Sequence, residues 1–253
     1  METWNIFGIS VDGPSHQKNQ TVCQDACNYS IITQNVAVIS VADGLGSVRF
    51  PEIGASLATT FSVDYVKEHI EELLESENGN EEFLTTFYRN LIENTRIHLK
   101  EAAIEKGCEF DDLASTLLVV FLNGSTASIA HIGDGAAVVK IGEQYELLSE
   151  PEQSEYSNEV YPLTTDQWEQ HLRIKQFEDI EAVAVFTDGC QSALLSKADD
   201  IWKPYNEAFA YLFSWANTKT DENQAKEEIE IFLRTNMATK SSDDKTLVFA
   251  IKH

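Results

Sequence analysis

The run Val36–Asp43, followed by Gly44, Leu45, Gly46 and Ser47, is the stretch of this sequence best suited to chemistry. Seven largely apolar, β-branched-rich residues read as a buried strand that ends on Asp43 and Gly44. A carboxylate at the mouth of a strand, beside a glycine that lets backbone approach closely, is a natural place to hold an ion or a phosphate. Taken alone it reads equally well as a capped turn, because Asp and Gly are common turn residues. The pattern recurs, however. Thr126–Ile132 leads through Gly133 into Asp134 and Gly135, and Ala182–Phe186 leads through Thr187 into Asp188 and Gly189. Near the C-terminus the order inverts, with Asp243, Asp244 and Lys245 preceding the apolar run 246–251. In antiparallel neighbours the C-terminal end of one strand lies beside the N-terminal end of the next. Four strands can thus bring Asp43, Asp134, Asp188 and Asp243 to one edge. Carboxylates crowded on one rim repel unless cations lie between them, so the expected chemistry is a hard divalent metal site.

The elements that must position these residues can be read from periodicity. Residues 4–11 read as an opening strand, 12–21 as a polar turn, and 22–32 as a second strand that begins around Asp25. No helix separates these from 36–43, which favours an antiparallel meander over βαβ units. Pro51 and Glu52 make a good helix start, and Ile53, Leu57, Phe61 and Tyr65 recur at i+4, predicting an amphipathic helix to about Ser76. Residues 77–80 break it. A second long helix follows with Phe83, Phe87 and Leu91 on its apolar side, ending near Lys106 and Gly107. His69 and His98 read as ordinary helix residues, not ligands. Residues 113–122, 126–132 and 136–141 read as three strands joined by tight hairpins at 123–125 and 133–135, and 144–148 adds another. Residues 150–166 are acidic and poorly periodic, marking an irregular segment. Strand character returns at 172–177 and 182–186, helices are expected at 206–216 and 222–237, and a last strand closes at Ile251. No linker, domain-sized repeat or low-complexity tract interrupts the chain, which predicts one domain over 1–253.

With 43% hydrophobic residues in 253, the chain can bury a sizeable core. Its net charge of −24 argues against nucleic acid and anionic membrane as partners, both of which need a basic face. Cys23, Cys27, Cys108 and Cys190 form no zinc-like pair and, with no signal peptide evident, read as reduced thiols of a cytoplasmic protein. No run approaches the length of a membrane span. Gly44-Leu45-Gly46 invites a dinucleotide-binding reading, but the third glycine is missing, with Arg49 in its place, and the neighbouring strands look antiparallel. P-loop, zincin, nucleophile-elbow and EF-hand patterns are likewise absent.

In order along the chain stand Cys23-Gln24-Asp25-Ala26, Ala42-Asp43-Gly44-Leu45-Gly46-Ser47, Ala114-Ser115-Thr116, Gly133-Asp134-Gly135, Thr187-Asp188-Gly189 and Asp243-Asp244-Lys245-Thr246. This ordered set resembles the metal-dependent Ser/Thr phosphatases of the PP2C family, and within it a bacterial branch with CQDA and ADGxGS motifs. The resemblance covers nearly the whole chain. It implies an α+β fold, a four-layer αββα sandwich of two antiparallel sheets packed face to face with helix pairs outside. It also implies a two-metal centre of Mn²⁺ or Mg²⁺. Asp43 would bridge both ions, the Gly44 carbonyl would bind the second, Asp188 and Asp243 would bind the first, and Asp25 would hold metal-bound water. Asp134 matches the position linked in some relatives to a third, weaker ion. The implied reaction is hydrolysis of phosphoserine and phosphothreonine by in-line attack of a hydroxide bridging the two ions, with no phosphoenzyme.

The chain departs from the family pattern in three places. Gln24 stands where many relatives have Glu, so an amide that supplies no charge faces the second ion. Leu45 stands where many eukaryotic relatives have a His that could protonate the leaving group. No Arg occupies the N-terminal turn where some relatives grip phosphate, which leaves His16, Lys18 and Arg49 as substitutes. Residues 150–181 sit where relatives carry a flap beside the active site, and are expected to bear on substrate choice. The expected partner is a phosphoserine or phosphothreonine protein, with basic character to suit the acidic surface, acted on by a monomer. The alternative is a catalytically weak PP2C-like regulatory or phosphoprotein-binding module, toward which Gln24 leans. Acids at all the core metal positions favour the enzyme, since a dead site has no physical reason to keep mutually repelling carboxylates. An unrelated Mg²⁺-dependent nuclease or cyclase lacks a basic substrate path.

Overall fold

The computed structural model describes residues 3–75, 81–152 and 160–253. Strand β1 (Trp4–Val11) is followed by a short helix α1 (Pro14–Asn19), and then by β2 (Asp25–Thr33) and β3 (Val36–Asp43). Helices α2 (Pro51–Glu68), α3 (Ile70–Glu75) and α4 (Glu81–Lys106) come next, and a 3-10 turn at Phe110–Leu113 leads into β4 (Leu117–Asn123) and β5 (Thr126–Ile132). Then follow β6 (Ala136–Ile141), β7 (Gln144–Ser149), α5 (Trp168–His171), β8 (Arg173–Phe177) and β9 (Ala182–Phe186). The C-terminal part holds α6 (Gln191–Leu194), β10 (Leu195–Ala198), β11 (Ile201–Pro204), α7 (Asn206–Ala216), α8 (Glu222–Thr235) and β12 (Lys245–Lys252).

Two antiparallel five-stranded sheets form the centre, in the orders β1-β12-β9-β6-β7 and β2-β3-β4-β5-β8. Strand alternation divides their side chains among three apolar layers. Ile39, Val41, Leu118 and Val120 meet Val183, Val185 and Val248 between the sheets. On the other face of the second sheet, Val38, Val119 and Ala130 pack under Ala58, Val66, Phe87 and Leu91 of α2 and α4. Outside the first sheet, Phe7, Ala184 and Phe249 pack under Phe209, Phe213, Ile229 and Leu233 of α7 and α8. The expected αββα sandwich is the observed one. Among the described residues no helix is long and apolar enough to cross a membrane.

Several local expectations are corrected. Strand β1 does not belong to a meander with β2 and β3. It pairs with β12, at the far end of the chain, and its two faces both need cover: Phe7 and Val11 lie under the helices, while Trp4 and Ile6 lie between the sheets. Residues 133–135 are not a hairpin, because β5 and β6 belong to different sheets and the segment carries the chain from one to the other. The polar turn at 12–21 contains α1, started by Pro14. The long helix stops at Glu68, with His69 as its C-cap, and resumes as α3. Strand β4 begins at Leu117, after the 3-10 turn, and the helix expected to reach 237 ends at Thr235. The β10–β11 hairpin was not expected at all. Residues 77–80, and 153–159 of the expected irregular segment, lie outside the described residues.

Candidate metal centre

The ends of four strands set the acids around one rim. Asp25 opens β2 and Asp43 closes β3, and antiparallel register places the two residues directly opposite each other. From the facing sheet, Asp188 follows the end of β9 and Asp243 precedes β12, and those strands pair with each other. Asp134 sits at the crossover between β5 and β6. The acids lie near enough to act on one another: Asp25, Asp188 and Asp134 raise the proton affinity of Asp43, Asp134, Asp243 and Asp25 raise that of Asp188, and Asp243 raises that of Asp134.

Asp25 is held from the opposite sheet. Thr187 and Thr246 donate their hydroxyls to its Oδ2 at 2.7 and 2.8 Å. The Thr246 N–H in turn bonds Thr187 Oγ1 at 2.9 Å, so both hydroxyls are aimed. Its other oxygen, Oδ1, is fully buried and has no protein partner, and Asp134 Oδ1 is in the same condition. A buried acceptor left unpaired costs about 1–3 kcal/mol, so each such atom asks for a cation or a water.

The Asp43–Gly44 corner is fixed by main chain. The Asp43 N–H bonds Thr116 Oγ1 at 2.9 Å, the Thr116 N–H bonds the Asp43 carbonyl at 2.8 Å, and Gly44 bridges Ser115. Gly44 admits no side chain, because a Cβ would stand 2.5 Å from the Pro51 carbonyl at the start of α2. Gln24 contributes main chain here, its carbonyl accepting from the Gly44 N–H at 3.1 Å, while its side-chain oxygen lies over Gly46.

Electrostatics mark the rim as short of positive charge. Burial, more than any other cause, pushes Asp25 up to about 7 against the pull of its two threonine hydroxyls. Burial and the neighbouring Asp25, Asp188 and Asp134 raise Asp43 well above the usual carboxylate range. Asp188 is pushed up to about 8, again by burial first and then by Asp134, Asp243 and Asp25. Among the described residues no three such side chains have converged to ligating distance, as expected of like charges facing one another. The donor set fits hard divalent cations: it is all oxygen and strongly acidic, with two buried oxygens lacking partners.

The neighbours of the acids were not legible as such. Asp244, beside Asp243, is a brace: its buried carboxylate accepts the Gly13 N–H at 2.7 Å, the Gln24 N–H at 2.6 Å and the His16 Nδ1–H at 2.8 Å. That contact removes His16 from the candidates for gripping phosphate. Arg49 is turned toward Asp112, 3.3 Å away, and Lys18 is exposed on α1. A cation that sequence reasoning missed is Arg173, which donates to the Gly133 carbonyl and offsets part of the rise that burial imposes on the Asp134 carboxyl. Two groups about 40 residues apart in the chain have no periodic signature, so only the fold shows the pair.

Set against known proteins, the chain matches the family model described as protein phosphatase 2C over residues 12–234. It is 29% identical to serine/threonine-protein phosphatase 3 of Escherichia coli (strain K12), over 98% of both chains. The structure superposes on a serine/threonine phosphatase of S. agalactiae with a TM-score of 0.66 at 16% identity, covering 98% of this chain and 99% of that one. PppA of Pseudomonas aeruginosa gives a TM-score of 0.63 at 16% identity, covering 100% of both. The sandwich, the order of its motifs and the match along nearly the whole sequence have one common explanation: this chain is a phosphoprotein phosphatase belonging to the metal-dependent protein phosphatase 2C family.

Proposed function

We propose that this Ser/Thr phosphatase works through two divalent ions, Mn²⁺ or Mg²⁺, held by Asp43, the Gly44 carbonyl, Asp188 and Asp243, with a third, weaker ion at Asp134. The observation that carries the reading is the buried, unpartnered Oδ1 of Asp25, a carboxyl itself pushed up to about 7 by burial, beside Asp43, raised well above the usual carboxylate range, and Asp188, pushed up to about 8. Such a ring is unfavourable as anions and needs external positive charge. Ions bound there supply activation of water for attack on phosphorus and neutralise the charge of the phosphoryl oxygens.

The chain's own residues do the rest. Thr187 and Thr246 keep Asp25 oriented so that one oxygen is left for a water. Thr116 and Ser115 fix the Asp43–Gly44 corner, which limits how far that carboxylate can swing. Asp244 ties the turn before α1 and the start of β2 to the start of β12, so the first and last acidic motifs move together. Cys190, the nearest thiol in sequence to Asp188, does not serve as a nucleophile in place of water, because it is buried and its proton affinity is raised far above neutrality. The substrate is inferred to be a phosphoserine or phosphothreonine protein with basic residues near the phosphate, supported by the net charge of −24.

Hydrolysis of a phosphothreonine peptide in ¹⁸O-labelled water tests the route. Attack of water on phosphorus places one labelled oxygen in each phosphate released, whether directly or through a phosphoenzyme, so the deciding result for direct attack is that no phosphorylated protein forms during a single turnover. A phosphorylated residue trapped by acid quench would overturn the reading.

A further inference from the structure

Two unpaired strand edges face each other beside the ring of acids. β1 and β2 are outermost strands, one from each sheet, and lie side by side on one flank of the sandwich. In antiparallel pairs every second residue bonds its partner and the rest turn their main-chain groups away. Thr3 and His253 exchange both bonds, at 2.8 and 2.9 Å, so the odd residues of β1 bond β12 while Gly8 and Ser10 turn outward. The Gly44 N–H bonds the Gln24 carbonyl, so the even residues of β2 bond β3 while Cys27 and Tyr29 turn outward. Two contacts agree with this parity. The Trp4 N–H reaches across the seam to the Gln34 carbonyl at 2.9 Å, closing its far end, and the Tyr29 N–H bonds Asn28 Oδ1 instead of β3. Among the described residues, the outward main-chain groups of Gly8, Ser10 and Cys27 have no partner.

Between these edges lies a cleft of about 630 Å³, walled on one side by Glu222 and Lys226 from the first turns of α8. Tyr29 Oη donates to Glu222 Oε1 at 2.8 Å, and Lys226 lies 5.3 Å from the Tyr29 ring centroid, so this wall is braced. The seam is continuous with the acids: Asp25 is the first residue of β2, and Ser10 Oγ lies 2.7 Å from the Thr246 hydroxyl that donates to Asp25.

We propose that this seam seats the extended main chain of the phosphoprotein substrate by strand addition to β2, with the phosphorylated residue at Asp25 and the preceding residues running alongside Cys27 and Tyr29. The proposal rests on the phosphatase reading and adds how the protein substrate is held. Strand β2 runs away from the ring, so an antiparallel guest runs toward it, which is why the N-terminal flank of the phosphoresidue is the part seated. At about 3.3 Å per residue, the length of β2 accommodates roughly four to six guest residues. Recognition is by main chain, so it tolerates many flanking sequences but demands an extended one.

The test uses the intact, Mn²⁺-loaded protein. Phosphothreonine peptides carrying none, two, four and six residues before the phosphate are compared with an aryl phosphate. The six-residue peptide is also made with single N-methyl groups at successive amides. Amide hydrogen exchange is followed while a phosphonate analogue of the long peptide is bound. The expected result is a rise in kcat/KM of about tenfold with flank length, equivalent to about 1.4 kcal/mol. That gain is lost on methylation of alternate amides but not the intervening ones, and exchange slows in segments 4–11 and 25–33. Indifference to flank length and methylation, or protection confined to other segments, would overturn it. Failure of the phosphatase reading shows separately, as no metal-dependent hydrolysis of the aryl phosphate, and exchange protection then still decides the seam.

Discussion

Asp188 illustrates what the ring demands of its members. Its proton affinity in the folded chain is raised from the usual 3.8 to about 8, chiefly by burial. A carboxyl raised in this way contributes stability that is full below its unfolded pKa and is lost as pH rises through its folded one. The metal-free protein should therefore lose stability between about pH 4 and pH 8, and Asp188→Asn should remove much of that loss. We expect the metal-free variant to be more stable than the parent near pH 8 by roughly 2 kcal/mol, or about 4–8 °C in Tm. The difference should vanish near pH 4 and reverse when Mn²⁺ is added, since binding stabilises the parent more. Thermal melts with and without metal chelator check this. Thr187→Val addresses the orientation of Asp25. Losing one hydroxyl should cost about 1 kcal/mol and raise the proton affinity of Asp25 further, moving the acid limb of the activity profile to higher pH. A pH–rate profile unchanged in position would contradict it. At this scale the acids themselves were legible, because each follows or precedes an apolar run. Their supports were not, since Thr187, Thr246 and Asp244 act across 59 or more residues of chain.

Elements bring those residues within reach, and one tight contact between them lies behind the Asp43 corner. Gly54 of α2 faces the Leu113 carbonyl so tightly that a Cβ would stand 2.1 Å from it. The same segment continues into Ser115 and Thr116, which grip Asp43 and Gly44. Gly54→Ala must push helix and segment apart, at a cost of about 1–3 kcal/mol. The metal concentration giving half-maximal activity should rise with it, whereas a merely destabilised protein would lose Tm alone; paired melts and Mn²⁺ titrations separate the two. Both long helices and most strands could be read from periodicity, because their apolar faces are local patterns. The partnership of β1 with β12 could not, as it joins residues about the full length of the chain apart. Nor could the sheet-to-sheet crossover at 133–135, where Gly-Asp-Gly looks the same as a hairpin turn.

For the whole molecule the governing quantity is charge. A net −24 steers basic ligands inward over distances comparable to the screening length, about 8 Å at physiological ionic strength. A phosphopeptide flanked by Lys and Arg should lose about tenfold in kcat/KM between low salt and about 0.5 M NaCl, and an acidic or neutral analogue much less. Equal salt dependence for all three would remove charge from the account of substrate choice. The sandwich also explains why acids distant in sequence meet at all: two sheets packed face to face bring strand ends from both onto one rim.

The central claim is that the ring of aspartates is a working divalent-metal site for phosphate-ester hydrolysis. The measurement that tests it most directly is aryl phosphate turnover by the purified chain, titrated with Mn²⁺ and with Mg²⁺, beside Asp43→Asn. The account predicts saturable metal-dependent turnover in the parent and a fall of about 10²–10³-fold or more in the variant, with the fold intact by circular dichroism. Turnover indifferent to metal, or equal in parent and variant, would contradict it.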